Sequence, residues 1–154
     1  GTSTLVDELL EQGFANLAVL DVAGPALELA RARLDDRADQ VQWIEVDVTE
    51  FEPARQWGLW HDRAVFHFLT DASHRKAYRR ALEAAVAPGG SAVISAFSLE
   101  GPERCSGLDV VRYSPESLAD ELGAAFELVE SRDEVHVTPA GAEQAFVYCL
   151  FHRV

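Results

Sequence analysis

The sequence predicts an α/β fold in three layers, in which helices cover a mostly parallel sheet that ends in an antiparallel hairpin. Short apolar runs, several of them closed by an acidic residue, alternate with amphipathic stretches long enough to cross over a sheet. Near the carboxyl terminus two apolar runs instead flank a Thr-Pro-Ala-Gly turn signal, which indicates the hairpin.

The first half of the chain is predicted to form two helices and two strands. A hydroxyl-x-x-acid start at Thr4 and the glycine at position 13 bound the first helix. A strand buried on both faces is expected over 17–22, and proline at the first turn indicates a second helix that begins at Gly24. The next strand is expected over 41–48. This alternation is the order that a parallel sheet requires.

The second half continues the alternation until the hairpin. A strand is expected to end at about His61, and a helix is expected over 71–86. Pro88-Gly89-Gly90 is expected to end that helix before a strand over 92–97. The segment 98–113 is either a substrate-side lid or an ordinary surface loop. The remaining predicted elements are a short helix and the two hairpin strands, over 114–123, 126–137 and 145–151.

Length and charge limit the possible functions. The 154 residues, 48% of them hydrophobic, fit one domain over 1–154. A net charge of -13 argues against a nucleic-acid partner. The apolar runs are shorter than the roughly 18 residues of a membrane span and no signal pattern opens the chain, so we expect no membrane partner and a cytoplasmic location. Cys105 and Cys149 are expected to be unpaired thiols.

Two acids at predicted strand ends are candidate ligand-binding residues, because ligands bind outside the carboxyl ends of strands in open parallel sheets. Asp21 lies twenty positions after Gly1, near the spacing at which a carboxylate reaches a ribose and accepts both of its hydroxyls. The alternative is that Asp21 caps the next helix. Asp47 is a candidate acceptor for an adenine amino group, or it caps its own loop.

The order of elements, with "LWHDRAVFHFL", "APGG" and the final hairpin, resembles the Rossmann-like class I methyltransferases that use S-adenosylmethionine. The resemblance covers nearly the whole chain. It implies S-adenosylmethionine as the cofactor, Asp21 as the ribose-binding acid and Asp47 as the adenine-side acid. Gly1 would be the last glycine of the cofactor loop. The cofactor site implied in this way comprises Gly1, Asp21, Val22, Asp47, Val48 and Asp62.

Two features depart from the family pattern. The family's first strand and earlier glycines have no counterpart, so we expect an N-terminally truncated domain. Gly58 stands where the family often has an aspartate early in its fourth strand. The resemblance implies a small-molecule methyl acceptor, with a protein substrate as an alternative. A nicotinamide-dependent oxidoreductase and a non-catalytic interaction module remain competing functions, because Asp21 alone does not distinguish cofactors that contain ribose.

A dense polar group interrupts the apolar segment 59–68, and its members are His61, Asp62, Arg63 and His67. Polar groups in such a segment are costly unless they are paired or face a cleft. Three interpretations are open: a structural Asp62–Arg63 pair, positioning of cofactor or substrate, and proton transfer by a histidine. By the resemblance, Asp62 and Arg63 lie near the methionine part of the cofactor and the transferred methyl. We take Asp62, Arg63 and His67 as candidate catalytic residues, and we expect no metal.

Overall fold

The structure is a computed structural model that describes residues 3–138 and 140–154. These residues form four α-helices, two short 3-10 helices (Asp35–Gln40 and Phe66–Phe68) and eight strands. The helices are α1 (Leu5–Glu11), α2 (Gly24–Leu34), α3 (Ala72–Ala85) and α4 (Pro115–Leu122). The strands are β1 (Leu17–Asp21), β2 (Val41–Glu45), β3 (Trp57–Arg63), β4 (Val86–Phe97), β5 (Arg104–Cys105), β6 (Leu108–Asp109), β7 (Phe126–Val137) and β8 (Glu143–Arg153). The chain divides into two compact units, the first ending at Phe51 and the second beginning at Glu52.

The first unit packs α1 and α2 with a two-stranded parallel sheet, β1 and β2. Val6, Leu34 and Val41 form a buried hydrophobic cluster in it. Gly13 has a φ of 82° and follows α1 as predicted, because glycine adopts the left-handed conformation that ends a helix without a steric penalty. Two predicted details are wrong. Thr4 makes no side-chain cap bond, and β1 is only half-buried along its length.

The second unit contains a four-stranded sheet in the order β3-β4-β8-β7 and a small β5-β6 hairpin. β3 and β4 are parallel, whereas β8 pairs antiparallel with both β4 and β7. The α/β class and the final hairpin are therefore confirmed, but this sheet is mixed rather than mostly parallel. The turn of the hairpin includes Pro139, which lies outside the described residues.

Helices α3 and α4 both pack on one face of the four-stranded sheet. α3 contacts β3 and β4, and α4 contacts β7 and β8. Their most buried side chains are Tyr78, Leu82, Leu118 and Leu122, which are all fully buried. Asp62 lies on this covered face, since its carboxylate bonds to Tyr78. Successive strand residues point to opposite faces, so the neighbouring Arg63 lies on the other face.

The expected helix stop at Pro88-Gly89-Gly90 is wrong. α3 ends at Ala85, and Val86 already has extended backbone angles and begins β4. The proline and glycines lie within β4, where pairing passes from Trp57 opposite Val86 to Leu59 opposite Ser91. Extra residues in β4 thus form an irregular stretch, one of the few places where a strand tolerates proline.

Close packing at this irregular stretch makes Gly90 a sensitive position. A β-carbon on Gly90 would lie 2.8 Å from the Ala87 carbonyl oxygen and 2.9 Å from that of Gly58. We expect Gly90→Ala to lower the free energy of unfolding by about 2 kcal/mol, as overpacked substitutions do. Urea denaturation measures this change.

Gly58→Ala is the matched control, because a β-carbon there meets nothing within 4 Å. It should change the free energy of unfolding by less than about 1 kcal/mol. Equal effects of the two substitutions would contradict the close approach of β3 and β4.

Candidate functional site

Two acids lie at the carboxyl ends of β1 and β2 in the first unit, Asp21 and Glu45. The two strands are parallel and Asp21 lies opposite Glu45, so both acids are at the same edge. Oδ1 of Asp21 accepts the N–H of Ala23 at 2.8 Å, just before α2 begins. Asp21 thus shapes the turn into α2. An ionised carboxylate has about four acceptor positions, so this bond is compatible with accepting ribose hydroxyls as well.

Glu45 is an acid that sequence reasoning missed. A β-carbon on Gly24 would lie 2.6 Å from Oε1 of Glu45, so the missing side chain of Gly24 gives this carboxylate room at the first turn of α2. A helix N-terminus favours a negative group. The signal that could have found Glu45 is the parallel pairing of the two strands, which puts it beside Asp21.

The other residues of the predicted cofactor site differ in exposure. Asp47 follows β2, and its Oδ1 accepts both the N–H and the hydroxyl of Thr49, at 2.8 and 2.7 Å. The side chain therefore shapes its own loop, which was the alternative for this residue. Val22 is 68% exposed beside Asp21, whereas Val48 is buried. Gly1 lies outside the described residues.

In the second unit Asp62 is buried and hydrogen-bonded through both carboxylate oxygens. Oδ1 accepts the N–H of Val65 at 2.9 Å, and Oδ2 accepts the N–H of Phe66 at 3.2 Å and the hydroxyl of Tyr78 at 2.7 Å. The tyrosine oxygen in turn accepts the indole N–H of Trp60 at 3.0 Å. Burial raises the pKa of Asp62 to about 6 although these bonds oppose the shift. Asp62 thus attaches the turn that follows β3 to the side of α3.

Arg63 takes partners on the opposite face of the sheet, so the structural Asp62–Arg63 pair does not form. Its Nε donates to the hydroxyl of Tyr148 at 3.0 Å, and its guanidinium carbon lies 5.8 Å from the centre of the Phe146 ring. The charges of Asp62 and Arg63 are therefore separated by the sheet itself. Desolvation and the nearby Arg63 charge lower the pKa of His61, the residue before Asp62.

His67 is fully buried just beyond β3. Its Nδ1 accepts the N–H of Phe97 at 3.2 Å, so the neutral ring carries its proton on Nε2, which has no partner in the described residues. The imidazole lies 4.5 Å from the Phe97 ring and 6.3 Å from the Phe146 ring, centre to centre. Burial lowers the pKa of His67 to about 4, which keeps the ring neutral near pH 7.

The segment 98–113 is held to the second unit by backbone bonds. Val111 donates to the carbonyl of His67 at 2.8 Å, and Tyr113 donates to that of Phe97 at 2.9 Å. A pocket of about 550 Å³ lies along this segment, and a second of about 340 Å³ lies near the start of α4. Both volumes are in the range of small-molecule sites.

Metal and membrane features are both missing from the part of the chain that the structure describes. It holds no group of three or more His, Cys, Asp or Glu side chains placed to bind a metal ion. Among its helices, none has the length and apolar character needed to cross a bilayer. Cys105 and Cys149 are free thiols, as expected.

Because the carboxyl of Asp62 is buried, we expect the free energy of unfolding to depend on pH. Its pKa in the folded chain is about 6 against a usual 3.8, so its stabilising contribution is complete below pH 3.8 and is lost as pH rises through about 6. We expect the free energy of unfolding of wild type minus that of Asp62→Asn to fall between about pH 4 and 6. Urea titrations at several pH values measure this difference.

His67→Gln provides the opposite control. The pKa of His67 falls from 6.5 to about 4 on folding, so its stabilising contribution is complete above pH 6.5 and is lost as pH falls through about 4. Wild type minus His67→Gln should therefore rise over the range in which the Asp62 difference falls. Slopes of the same sign for both variants would contradict the burial of the two groups.

Comparisons with known proteins agree on the fold. No family model matches the sequence, and the search of curated proteins gives no match. A Burkholderia thailandensis 1,6-didemethyltoxoflavin N1-methyltransferase, solved with 1,6-didemethyltoxoflavin and S-adenosylhomocysteine, matches with a TM-score of 0.79 and 21% identity over 100% of this chain and 68% of that chain. An S-adenosylmethionine-dependent methyltransferase from Methanosarcina mazei matches at 0.78 and 12%, over 100% of this chain and 89% of that chain.

A third match is the N-methyltransferase NodS from Bradyrhizobium japonicum, with a TM-score of 0.71 and 20% identity over 89% of this chain and 72% of that chain. The likeness therefore holds for proteins of different size and low sequence identity. The chain has the fold of the class I S-adenosylmethionine-dependent methyltransferases.

Proposed function

We propose that the protein is an S-adenosylmethionine-dependent methyltransferase that acts on a small molecule. The observation that carries this proposal is the shared fold, because one matched methyltransferase contains S-adenosylhomocysteine together with a small heterocycle. Fold alone does not determine function, so the local chemistry must also suit the cofactor and the acceptor.

The acids of the first unit suit the nucleoside part of such a cofactor. A ribose presents two hydroxyl donors, and Asp21 is a carboxylate at a strand end. Val22 offers an exposed apolar side chain next to it for contact with a purine ring. We propose that Gly1, Asp21, Val22, Asp47 and Val48 bind the cofactor, and the position of Glu45 adds a further candidate. Asp62, the remaining residue of the expected cofactor site, is buried with both oxygens hydrogen-bonded, so its proposed part is to hold the turn after β3.

When bound, the cofactor supplies a methyl group on a sulfonium sulfur, which is transferred by direct displacement. The chain then has to align the acceptor and, where the nucleophile carries a proton, remove that proton. We propose Asp62, Arg63 and His67 as the catalytic group, in which Asp62 is a positioning residue that fixes the turn leading to His67, while Arg63 ends β3 on the opposite face of the sheet. Arg63 is the member whose charged side chain is exposed.

A small-molecule acceptor is supported by the matched methyltransferase that was solved with 1,6-didemethyltoxoflavin. The second unit also has two open surface depressions, of about 550 and 340 Å³. A basic protein substrate is the competing acceptor, because the net charge of -13 favours its encounter. A single methyltransferase-like domain over 1–154, a three-layer arrangement and a cytoplasmic location belong to the same proposal.

Calorimetric titration with S-adenosylmethionine tests the cofactor assignment. We expect the wild type to bind, and Asp21→Asn to bind about 10- to 100-fold more weakly, because a hydrogen bond to a charged acceptor is replaced by one to a neutral amide. The amide oxygen of asparagine can still accept from Ala23, so the turn into α2 is preserved. Asp36→Asn is the matched control, since Asp36 is an exposed acid in the same unit, and it should leave the affinity unchanged.

A parallel titration with a nicotinamide dinucleotide distinguishes a methyltransferase from the competing enzyme class, a nicotinamide-dependent oxidoreductase. Binding of the dinucleotide without binding of S-adenosylmethionine would replace the proposal with an oxidoreductase. Binding of neither would favour a non-catalytic module. Equal affinities of Asp21→Asn and Asp36→Asn for S-adenosylmethionine would remove Asp21 from the cofactor site.

A further inference from the structure

We propose that Arg63 and the hydroxyl groups beside it bind an anionic oxygen group, and that the methyl acceptor therefore carries a carboxylate or a comparable anion. The role as acceptor site rests on the proposed methyltransferase function. The binding of an anion at Arg63 does not rest on that function, because it is inferred from the side chains on the face of the four-stranded sheet opposite α3 and α4.

Four polar side chains form a row across this face. The strand register places Arg63 opposite Ser95, Ser95 opposite Tyr148, and Tyr148 opposite Arg132. One row therefore contains a guanidinium at each end and two hydroxyl groups between them. Aligned donors of this kind are complementary to an anion.

Arg63 is held in place without being neutralised. Its Nε bond to Tyr148 spans β4, and Phe146 lies under the guanidinium. The ion pairs found in the described residues involve other arginines, and none involves Arg63 or Arg132. A guanidinium has five N–H donors, so the four on its terminal nitrogens are available to form a two-bond fork with a carboxylate.

Ser95 provides a second and independent indication. Its residue is 0% exposed, and its Oγ has no hydrogen-bond partner among the described residues. A buried hydroxyl without a partner is unfavourable, because it has lost its hydrogen bonds to water. An anionic oxygen bound beside Arg63 would supply the missing acceptor.

The acids on the same face lie at the far edge. Glu130 and Glu134 are two residues before and after Arg132 on β7, so they weaken the positive field there. Arg63 lies three strands away, which is about 14 Å at the usual strand spacing. His61, on the same face two residues before Arg63, has a pKa lowered by desolvation and by that charge. Arg63 is thus the dominant cation of the row.

Benzoate and benzamide are suitable probes, because they have nearly the same shape and differ in charge. We expect calorimetry on the full chain to show benzoate binding at least 10-fold more tightly than benzamide. Arg63→Gln should reduce benzoate affinity about 10-fold or more, the range for loss of a charge-assisted fork. Arg31→Gln removes an exposed arginine of the first unit and should leave benzoate affinity unchanged.

Tyr148→Phe keeps the ring and removes only the hydroxyl that holds Arg63, so it tests the site without the loss of a charge. It should weaken benzoate binding about 5-fold, because the guanidinium loses the hydroxyl that accepts from its Nε and orients it. Equal binding of benzoate and benzamide, or unchanged benzoate affinity in Arg63→Gln, would overturn the proposal. If S-adenosylmethionine binds and benzoate does not, this inference is overturned and the proposed function stands. If benzoate binds and S-adenosylmethionine does not, the anion site stands but its role as acceptor site is overturned.

Discussion

The second unit depends on one buried carboxylate, that of Asp62. Its two oxygens accept from the backbone at Val65 and Phe66 and from the hydroxyl of Tyr78. These bonds join the end of β3, the turn that follows it and the middle of α3. A buried carboxylate without donors would be strongly unfavourable, so the turn and the helix have to supply them. Asp62 therefore acts as a structural centre, and it places the turn that leads to His67.

The alternation of side chains along a strand explains why Asp62 and Arg63 have different tasks. Asp62 faces α3, where three donors are available. Arg63 faces the opposite side and reaches across β4 to Tyr148. Because the sheet separates them, the carboxylate does not neutralise the guanidinium. A dense polar sequence in an apolar segment is thus divided into a buried network on one face and an exposed cation on the other.

Local signals predicted the elements better than the contacts between them. The helix end at Gly13, the helix expected over 71–86 and the hairpin strands follow rules that involve mainly neighbouring residues, and those predictions hold. Pro88-Gly89-Gly90 has the composition of a helix stop, but β3 pairs with the chain on both sides of these residues, at Val86 and Ser91, so they lie within β4. The mixed order of the large sheet also depends on pairing between distant segments, which periodicity does not encode.

In the candidate site too, local signals were recognisable in the sequence and contacts between distant residues were not. Asp21 and Asp47 were recognisable because acids at strand ends stand out in an apolar run. Glu45 was missed because its importance depends on the register with β1 and on the space left by Gly24. The Arg63–Tyr148 bond joins residues 85 positions apart, so no local pattern could indicate it.

The central claim is that this fold binds S-adenosylmethionine through the strand-end acids. A crystal structure of the protein grown with S-adenosylhomocysteine tests it most directly. We expect both ribose hydroxyls to lie within about 3 Å of the Asp21 carboxylate, the usual hydrogen-bond distance. A bound nucleoside whose ribose lies away from Asp21, or crystals without the nucleoside at a saturating concentration, would contradict it.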